Sequence, residues 1–303
     1  MGLGIRPIND FAFRKVFASP QSDLALLSLL NAIIEPVVPI TKVSLQNPFN
    51  YQDFETDKLS ILDIKATDQN GAIYDIEMQI AVKPGLVQRL VFYGAELYSD
   101  QLRSGDEYRQ LKPVIIIALV EDVVWSESGQ RHHRFELTDR PSGRVLADTL
   151  SIHIVELEKY NSIDVDLSHV SPLERWVFWL RHAQDYDVRQ LCELFPGNEF
   201  DVVNSLLLEI SQQTKDKSMY DAQEKQRRDR LWLQNIAIEE AEQRGELRGE
   251  LRGKQRGELS GKIRILQEIL GLAVSSDREL DDCSLDELHA RLVELQVRVK
   301  SRS

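Results

Sequence analysis

The side chains best able to do chemistry in this chain sit on two short stretches, residues 61–65 (Ile-Leu-Asp-Ile-Lys) and 74–79 (Tyr-Asp-Ile-Glu-Met-Gln). Both alternate apolar and polar residues, the pattern of half-buried strands. Between them Asp68, Gln69, Asn70 and Gly71 are turn residues, with the glycine able to take positive φ. Register decides which carboxylates meet. A two-residue Asn-Gly loop sets Asp63 against Met78 and Ile64 against Glu77, a mixture that a buried face does not tolerate. A three-residue loop, Gln69-Asn70-Gly71 with the glycine in the bulge position, repairs the pattern. Leu62 then faces Met78, Ile64 faces Ile76 and Ala66 faces Tyr74. On the other side Asp63 lies opposite Glu77 and Lys65 opposite Asp75, with Gln79 two residues beyond Glu77. Facing carboxylates destabilise a strand pair by roughly a few tenths of a kcal/mol. A divalent cation between them reverses the sign, because hard oxygen ligands at this separation suit Mg²⁺. The plainer alternative is the solvated face of a hairpin.

The elements around the hairpin must carry it. Residues 8–35 read as two helical segments, one holding Asp10, Phe11, Lys15 and Phe17, the other Leu24, Leu27, Leu30 and Ile34, with Pro20 between and Pro36 at the end. Residues 37–43, followed by Leu45, suggest a strand leading into the hairpin. After Pro84-Gly85 a helix over 86–103 keeps Leu86, Leu90, Gly94 and Leu97 on one face and Arg89, Tyr93 and Glu96 on another. The wholly apolar run 114–120 implies a central strand covered on both sides. A short strand at 134–137 and an alternating one at 151–157 follow, with His132 and His133 expected in a solvated loop. Ser171-Pro172-Leu173-Glu174 carries a capping box and an N-terminal proline, opening a helix whose Trp176, Phe178 and Trp179 read as core. Further helices are expected at 187–195 and from 199 onward, and Ser284 to Glu287 caps a last one. The order predicts an α/β fold: a mixed central sheet flanked by helices, with a helical C-terminal region. The expected division is a core over 1–160, a helical extension packed on it over 161–235, and a charged, glycine-repeat tail over 236–303.

That tail repeats every four residues from Arg244, as Arg-Gly-Glu-Leu and its variants through Ile263. Four residues advance a helix by about 400°, so each stripe drifts about 40° per repeat. Leu247, Leu251, Leu259 and Ile263 therefore trace a spiral suited to a partner helix, while the five glycines each weaken a helix by about 1 kcal/mol. Seven basic and three acidic residues between Arg244 and Arg264 give a local charge of +4. A phosphate-touching or oligomerising arm and a solvated tail both fit.

Composition sets limits. At 303 residues there is room for one large or two ordinary domains. The longest apolar run, 114–120, is seven residues, too short to span a bilayer. The N-terminus lacks an apolar signal core, so a cytoplasmic location and no membrane contact are expected. Cys192 and Cys283 form no metal spacing and read as thiols of a reducing compartment. A net charge of −12 argues against a general nucleic-acid binder but allows a local basic groove.

A metal held by Asp63, Glu77 and the main-chain carbonyl of Met78 could activate water and stabilise a pentavalent phosphate. The spacing Asp-x₁₃-Glu-x-Gln on adjacent strands, followed by a helix, resembles the PD-(D/E)XK nuclease superfamily. The ordered set around it narrows the likeness: Asn9 to Phe17, Leu29-Leu30-Asn31, Asp63, Ile76 to Gln79, Arg89 with Tyr93, and Gly105 to Ile115. Together, over roughly residues 5–220, these resemble the Rpn family of recombination-promoting nucleases, also classed as PD-(D/E)XK transposases. The resemblance implies a Mg²⁺-dependent DNA endonuclease (Mn²⁺ serving as substitute), linked to recombination or transposition. A catalytically weak DNA-binding or transposition-accessory protein, or an oligomeric scaffold built on the tail, is the alternative. By position Asp63 and Glu77 would bind metal, and Gln79 stands where the superfamily has lysine. Glutamine orients water but carries no charge. Lys65, two residues from Asp63, is a candidate cation, against a salt bridge to Asp75. Asp10 and Lys15 are expected to approach from the first helix, unless Asp10 is only its N-cap. Arg89 is expected on a phosphate, or in a strained bridge to Glu96.

Overall fold

The computed structural model describes residues 2–52, 64–103, 105–160 and 166–301. They fall into two compact units, Met1–Gln226 and Arg227–Ser303.

The first unit is built on a six-stranded sheet of order β1-β2-β3-β4-β6-β5. The strands are β1 (Val43–Leu45), β2 (Ile64–Asp68), β3 (Ile73–Gln79), β4 (Val114–Val120), β5 (His132–Glu136) and β6 (Leu150–Glu156). β3, β4 and β6 run parallel, and the remaining pairs are antiparallel. The expected hairpin register is present in β2–β3: Ile64 pairs with Ile76, Lys65 with Asp75 and Ala66 with Tyr74. The three-residue loop closes with the Asp68 N–H on the Ala72 carbonyl at 3.1 Å, and Gly71 takes φ 84°. The pairs Leu62–Met78 and Asp63–Glu77 involve residues outside the described ones.

Helices cover both faces. α1 (Asp10–Phe17) and α2 (Asp23–Ile34) pack on one, together with α4 (Pro172–His182), α5 (Val188–Leu194) and α6 (Asn198–Gln212). α3 (Leu86–Ser99) covers the other. This mixed sheet between helices is a restriction-endonuclease-like α/β fold. The run 114–120 is buried throughout, as its two-sided apolarity requires. Trp176 and Trp179 share one hydrophobic cluster with Ile115 and Ile117 of β4. The helices beyond residue 160 therefore complete the core of the sheet.

Local chemistry explains most boundaries. Ser171 and Glu174 form the expected capping box, with Pro172 in the first turn. The strand expected from residue 37 shrinks to Val43–Leu45, and Val37 and Val38 are exposed. Pro39 removes a ladder donor. The Asn31 side chain also takes both main-chain groups of Ile40, donating to its carbonyl and accepting its N–H at 2.9 Å each. His132 and His133 lie on β5 instead of in a solvated loop. His132 Nε2 is 3.0 Å from His153 Nδ1, and His133 Nε2 is 2.9 Å from Glu156 Oε1, though not aligned as a hydrogen bond.

α7 (Thr214–Leu270) belongs to both units. In the second unit its Leu259, Ile263 and Leu270 form a small core with Leu280 of α8 (Asp277–Asp281) and Leu288, Leu292 and Leu295 of α9 (Leu285–Lys300). The partner helix that the leucine spiral calls for is thus supplied within the chain from Leu259 onward, whereas Leu251 stays 57% exposed. Among the described residues no helix is long and apolar enough to cross a membrane.

Candidate active site

On β3, Tyr74, Ile76 and Met78 point into the larger core, so Asp75, Glu77 and Gln79 share the face beneath α3. That face is apolar on the neighbouring strand, where Asp75 pairs with Ile116 and Glu77 with Ala118. Glu77 is 2% exposed and Asp75 1%. Two carboxylates in such surroundings must be satisfied or carry a large penalty.

Among the described residues Glu77 is satisfied through one oxygen. Gln79 Nε2 donates to Glu77 Oε2 at 2.9 Å, and Arg89 Nη2 donates to the same oxygen at 3.0 Å. Arg89 comes from the first turns of α3, which opens at Gly85 with φ 82°. Gly94 lets that helix lie close to the sheet: a Cβ there would stand 2.6 Å from Leu150 Cδ1 and 3.1 Å from Ile116 Cγ1. Among the described residues Arg89 thus bridges to Glu77 and not to Glu96. Tyr93, one turn on, is half-buried, its ring 5.9 Å from that of Phe92.

Asp75 is different. Its Oδ1 is buried and has no hydrogen-bond partner among the described residues. Burial pushes its pKa up to about 6, with Lys65 opposing that shift and Glu77 adding to it. β3 turns the main-chain groups of residues 73 and 79 toward β4, since the Ile73 N–H donates to Pro113 and the Gln79 carbonyl accepts from Glu121. The carbonyl of Met78 therefore faces the β2 side, and Lys65 and Asp75 form a close, non-hydrogen-bonded cross-strand pair.

The expected set is only partly brought together. Glu77, Gln79 and Arg89 converge, and Lys65 and the Met78 carbonyl lie beside them. Asp63 lies outside the described residues. Among those described, no group of three or more His, Cys, Asp or Glu side chains is arranged to hold a metal. Lys15 is elsewhere: α1 packs against the opposite face of the sheet. There Lys15 Nζ bonds Asp216 at 2.5 Å and Tyr51 and Glu209 at 3.0 Å each. Burial alone would lower its pKa, but these bonds outweigh it and hold the ammonium above the usual lysine range. Asn9, not Asp10, caps α1, accepting from the N–H groups of Phe11 and Ala12. A cavity of about 230 Å³, lined by Tyr74, Ile115, Arg134 and His153 among others, opens at the start of the parallel strands, away from Gln79.

Residues 7–239 match the family described as PD-(D/E)XK nuclease family transposase. The chain belongs to that family. No curated protein and no solved structure matches it. Membership of the PD-(D/E)XK nuclease family transposases makes the chain nuclease- and transposition-related, and it agrees with the restriction-endonuclease-like sheet. Sequence reasoning missed the Arg89–Glu77 bridge. The available signal was the helical face Arg89–Tyr93, which had to lie under the strand that carries Glu77.

Proposed function

We infer that this chain is a metal-dependent endonuclease that hydrolyses phosphodiester bonds of DNA during recombination or transposition. The observation carrying this reading is the buried Glu77 carboxylate. Among the described residues it is held by Gln79 and Arg89 through Oε2 alone, which leaves Oε1 for a ligand. The donor chemistry suits a hard divalent cation: carboxylate oxygen from Glu77 and Asp63, main-chain oxygen from Met78, and no thiolate. Mg²⁺, with Mn²⁺ as substitute, is the ion assigned. A metal there supplies Lewis-acid stabilisation of the phosphate and a more acidic water.

The chain's own residues do the rest. Glu77, fixed by two donors, presents its free oxygen in one orientation. The Gln79 amide, anchored on Glu77 through Nε2, can orient the attacking water through its carbonyl oxygen. Lys65 balances the charge of Asp75 across the strand pair. Water attacks phosphorus, the phosphorus–oxygen bond to the leaving sugar breaks, and a proton ends on the departing hydroxyl. DNA is the partner. The net charge of −12 resides wholly in residues 1–226, because residues 227–303 hold 15 basic and 15 acidic side chains. Phosphate contacts therefore depend on local cations such as Arg89 and the stretch 244–264.

The test is cleavage of supercoiled plasmid by the full chain with Mg²⁺ or Mn²⁺, beside Asp63→Ala and Glu77→Gln. Metal-dependent nicking lost in both variants supports the reading. DNA binding without cleavage by the wild type would leave an accessory role in transposition.

A further inference from the structure

The nuclease site lacks the lysine that would stand at Gln79, and its charge must come from elsewhere. We propose that the guanidinium of Arg89, delivered from α3, is the cation of this active site. The proposal rests on the nuclease reading above and deepens it.

Arg89 Nη2 and Gln79 Nε2 both bond Glu77 Oε2, at 3.0 and 2.9 Å. Two donors sharing one acceptor oxygen lie within about 6 Å of each other, so the arginine charge is about one side-chain width from the end of residue 79. Lys65 is matched differently. It stands directly opposite Asp75, whose carboxylate feels its charge, and among the described residues it makes no ion pair with Glu77. Arg89 has donors left for a substrate. Among the described residues only Nη2 of its guanidinium is bonded, Nε is buried, and the side chain is 36% exposed, so the Nη edge is the part that reaches from the carboxylate toward solvent. A planar guanidinium with five donors can hold Glu77 on one edge and a phosphate oxygen on another. The close seat of α3, which Gly94 permits, sets that reach.

The sign of one measurement separates this role from simple support. A cation touching Glu77 opposes a second cation on the same carboxylate. Removing Arg89 should therefore tighten metal binding while slowing cleavage. A residue that merely positions Glu77 would, when removed, weaken metal binding. The experiment uses the full chain, with Mn²⁺ affinity measured by calorimetry and plasmid cleavage in single turnover. Arg89→Met should cut about 10²-fold more slowly, as when one transition-state donor is lost, and bind Mn²⁺ several-fold more tightly. Gln79→Lys added to Arg89→Met should recover about tenfold or more of that loss, and Arg89→Lys should retain more activity than Arg89→Met. Thermal unfolding of each variant checks folding. The proposal is overturned if Arg89→Met weakens Mn²⁺ binding, if it cuts within about twofold of wild type, or if Lys65→Met alone shows the paired loss of rate and gain of affinity. Wild type that neither binds Mn²⁺ through Glu77 nor cuts DNA overturns the nuclease reading itself, and the proposal with it. Loss of the Arg89 pattern in an active wild type removes the proposal only.

Discussion

Lys15→Met tests whether the lysine of α1 is structural. The ammonium is bonded to Asp216, which is fully buried, and to Tyr51 and Glu209. Among the described residues, removing it leaves the Asp216 carboxylate with the Tyr51 hydroxyl, at 2.7 Å, as its remaining side-chain hydrogen bond. Breaking a buried pair by deleting one partner costs about 3–5 kcal/mol, because the other charge is left uncompensated. Glu209, about one-third exposed, adds little to that sum. Set against a typical domain stability of roughly 5–15 kcal/mol, the loss is large. For a unit of this size it corresponds to a fall in Tm on the order of 10 °C. Urea unfolding can be followed by tryptophan emission, since Phe17 of the same helix lies 5.6 Å from Trp176 and 6.1 Å from Trp179. The double variant Lys15→Met/Asp216→Leu should be more stable than Lys15→Met, because it removes the orphaned charge as well. A single variant costing less than about 1 kcal/mol, or a double variant as unstable as the summed singles, would refute the reasoning.

Two further predictions concern stability. His153 is buried beside His132 and Arg134, and burial first, then those two charges, hold its pKa down to about 3. The unfolded chain takes up that proton below about pH 6.5 and the folded chain does not, so stability should fall on acidification between roughly pH 6.5 and 3, by up to about 1.4 kcal/mol per pH unit. Asp75, with its raised pKa, works in the opposite direction, so the comparison to make is the pH slope of wild type minus that of His153→Leu. Equal slopes would contradict the assignment. In the tail, a Cβ at Gly249 or Gly253 would meet nothing within 4 Å. Gly249→Ala/Gly253→Ala should raise helical stability by about 1 kcal/mol per site, read as helicity on heating by circular dichroism. A drop in stability would mean that another helix needs those glycines.

The sequence carried what short-range patterning can carry. Alternation and turn chemistry were enough for the register from Ile64 to Tyr74 and for the loop at Gly71. Caps marked α4 and α9, and two-sided apolarity marked β4. What escaped was set by tertiary partners. Lys15 finds carboxylates at positions 209 and 216, far along the chain, and no local pattern announces them. Arg89 meets Glu77 across a strand, a loop and a helix turn, so its partner follows only once α3 is laid under β3. His132 and His133 sit among polar residues, yet pairing with β6 draws them into the sheet. The strand expected before Val43 lost to a single asparagine that captured the main chain of Ile40.

The tail's period has a hereditary consequence. Residues 244–263 repeat in units of four inside one continuous helix, and its glycine positions face open space. Four residues are encoded by twelve nucleotides, so whole units can be gained or lost without a frame shift. Each gain would lengthen the helix by about 6 Å and advance its leucine stripe by about 40°. The small core that Leu259, Ile263 and Leu270 form with α8 and α9 lies at the end of the repeat, so units before Leu259 can be gained or lost with none of its residues altered.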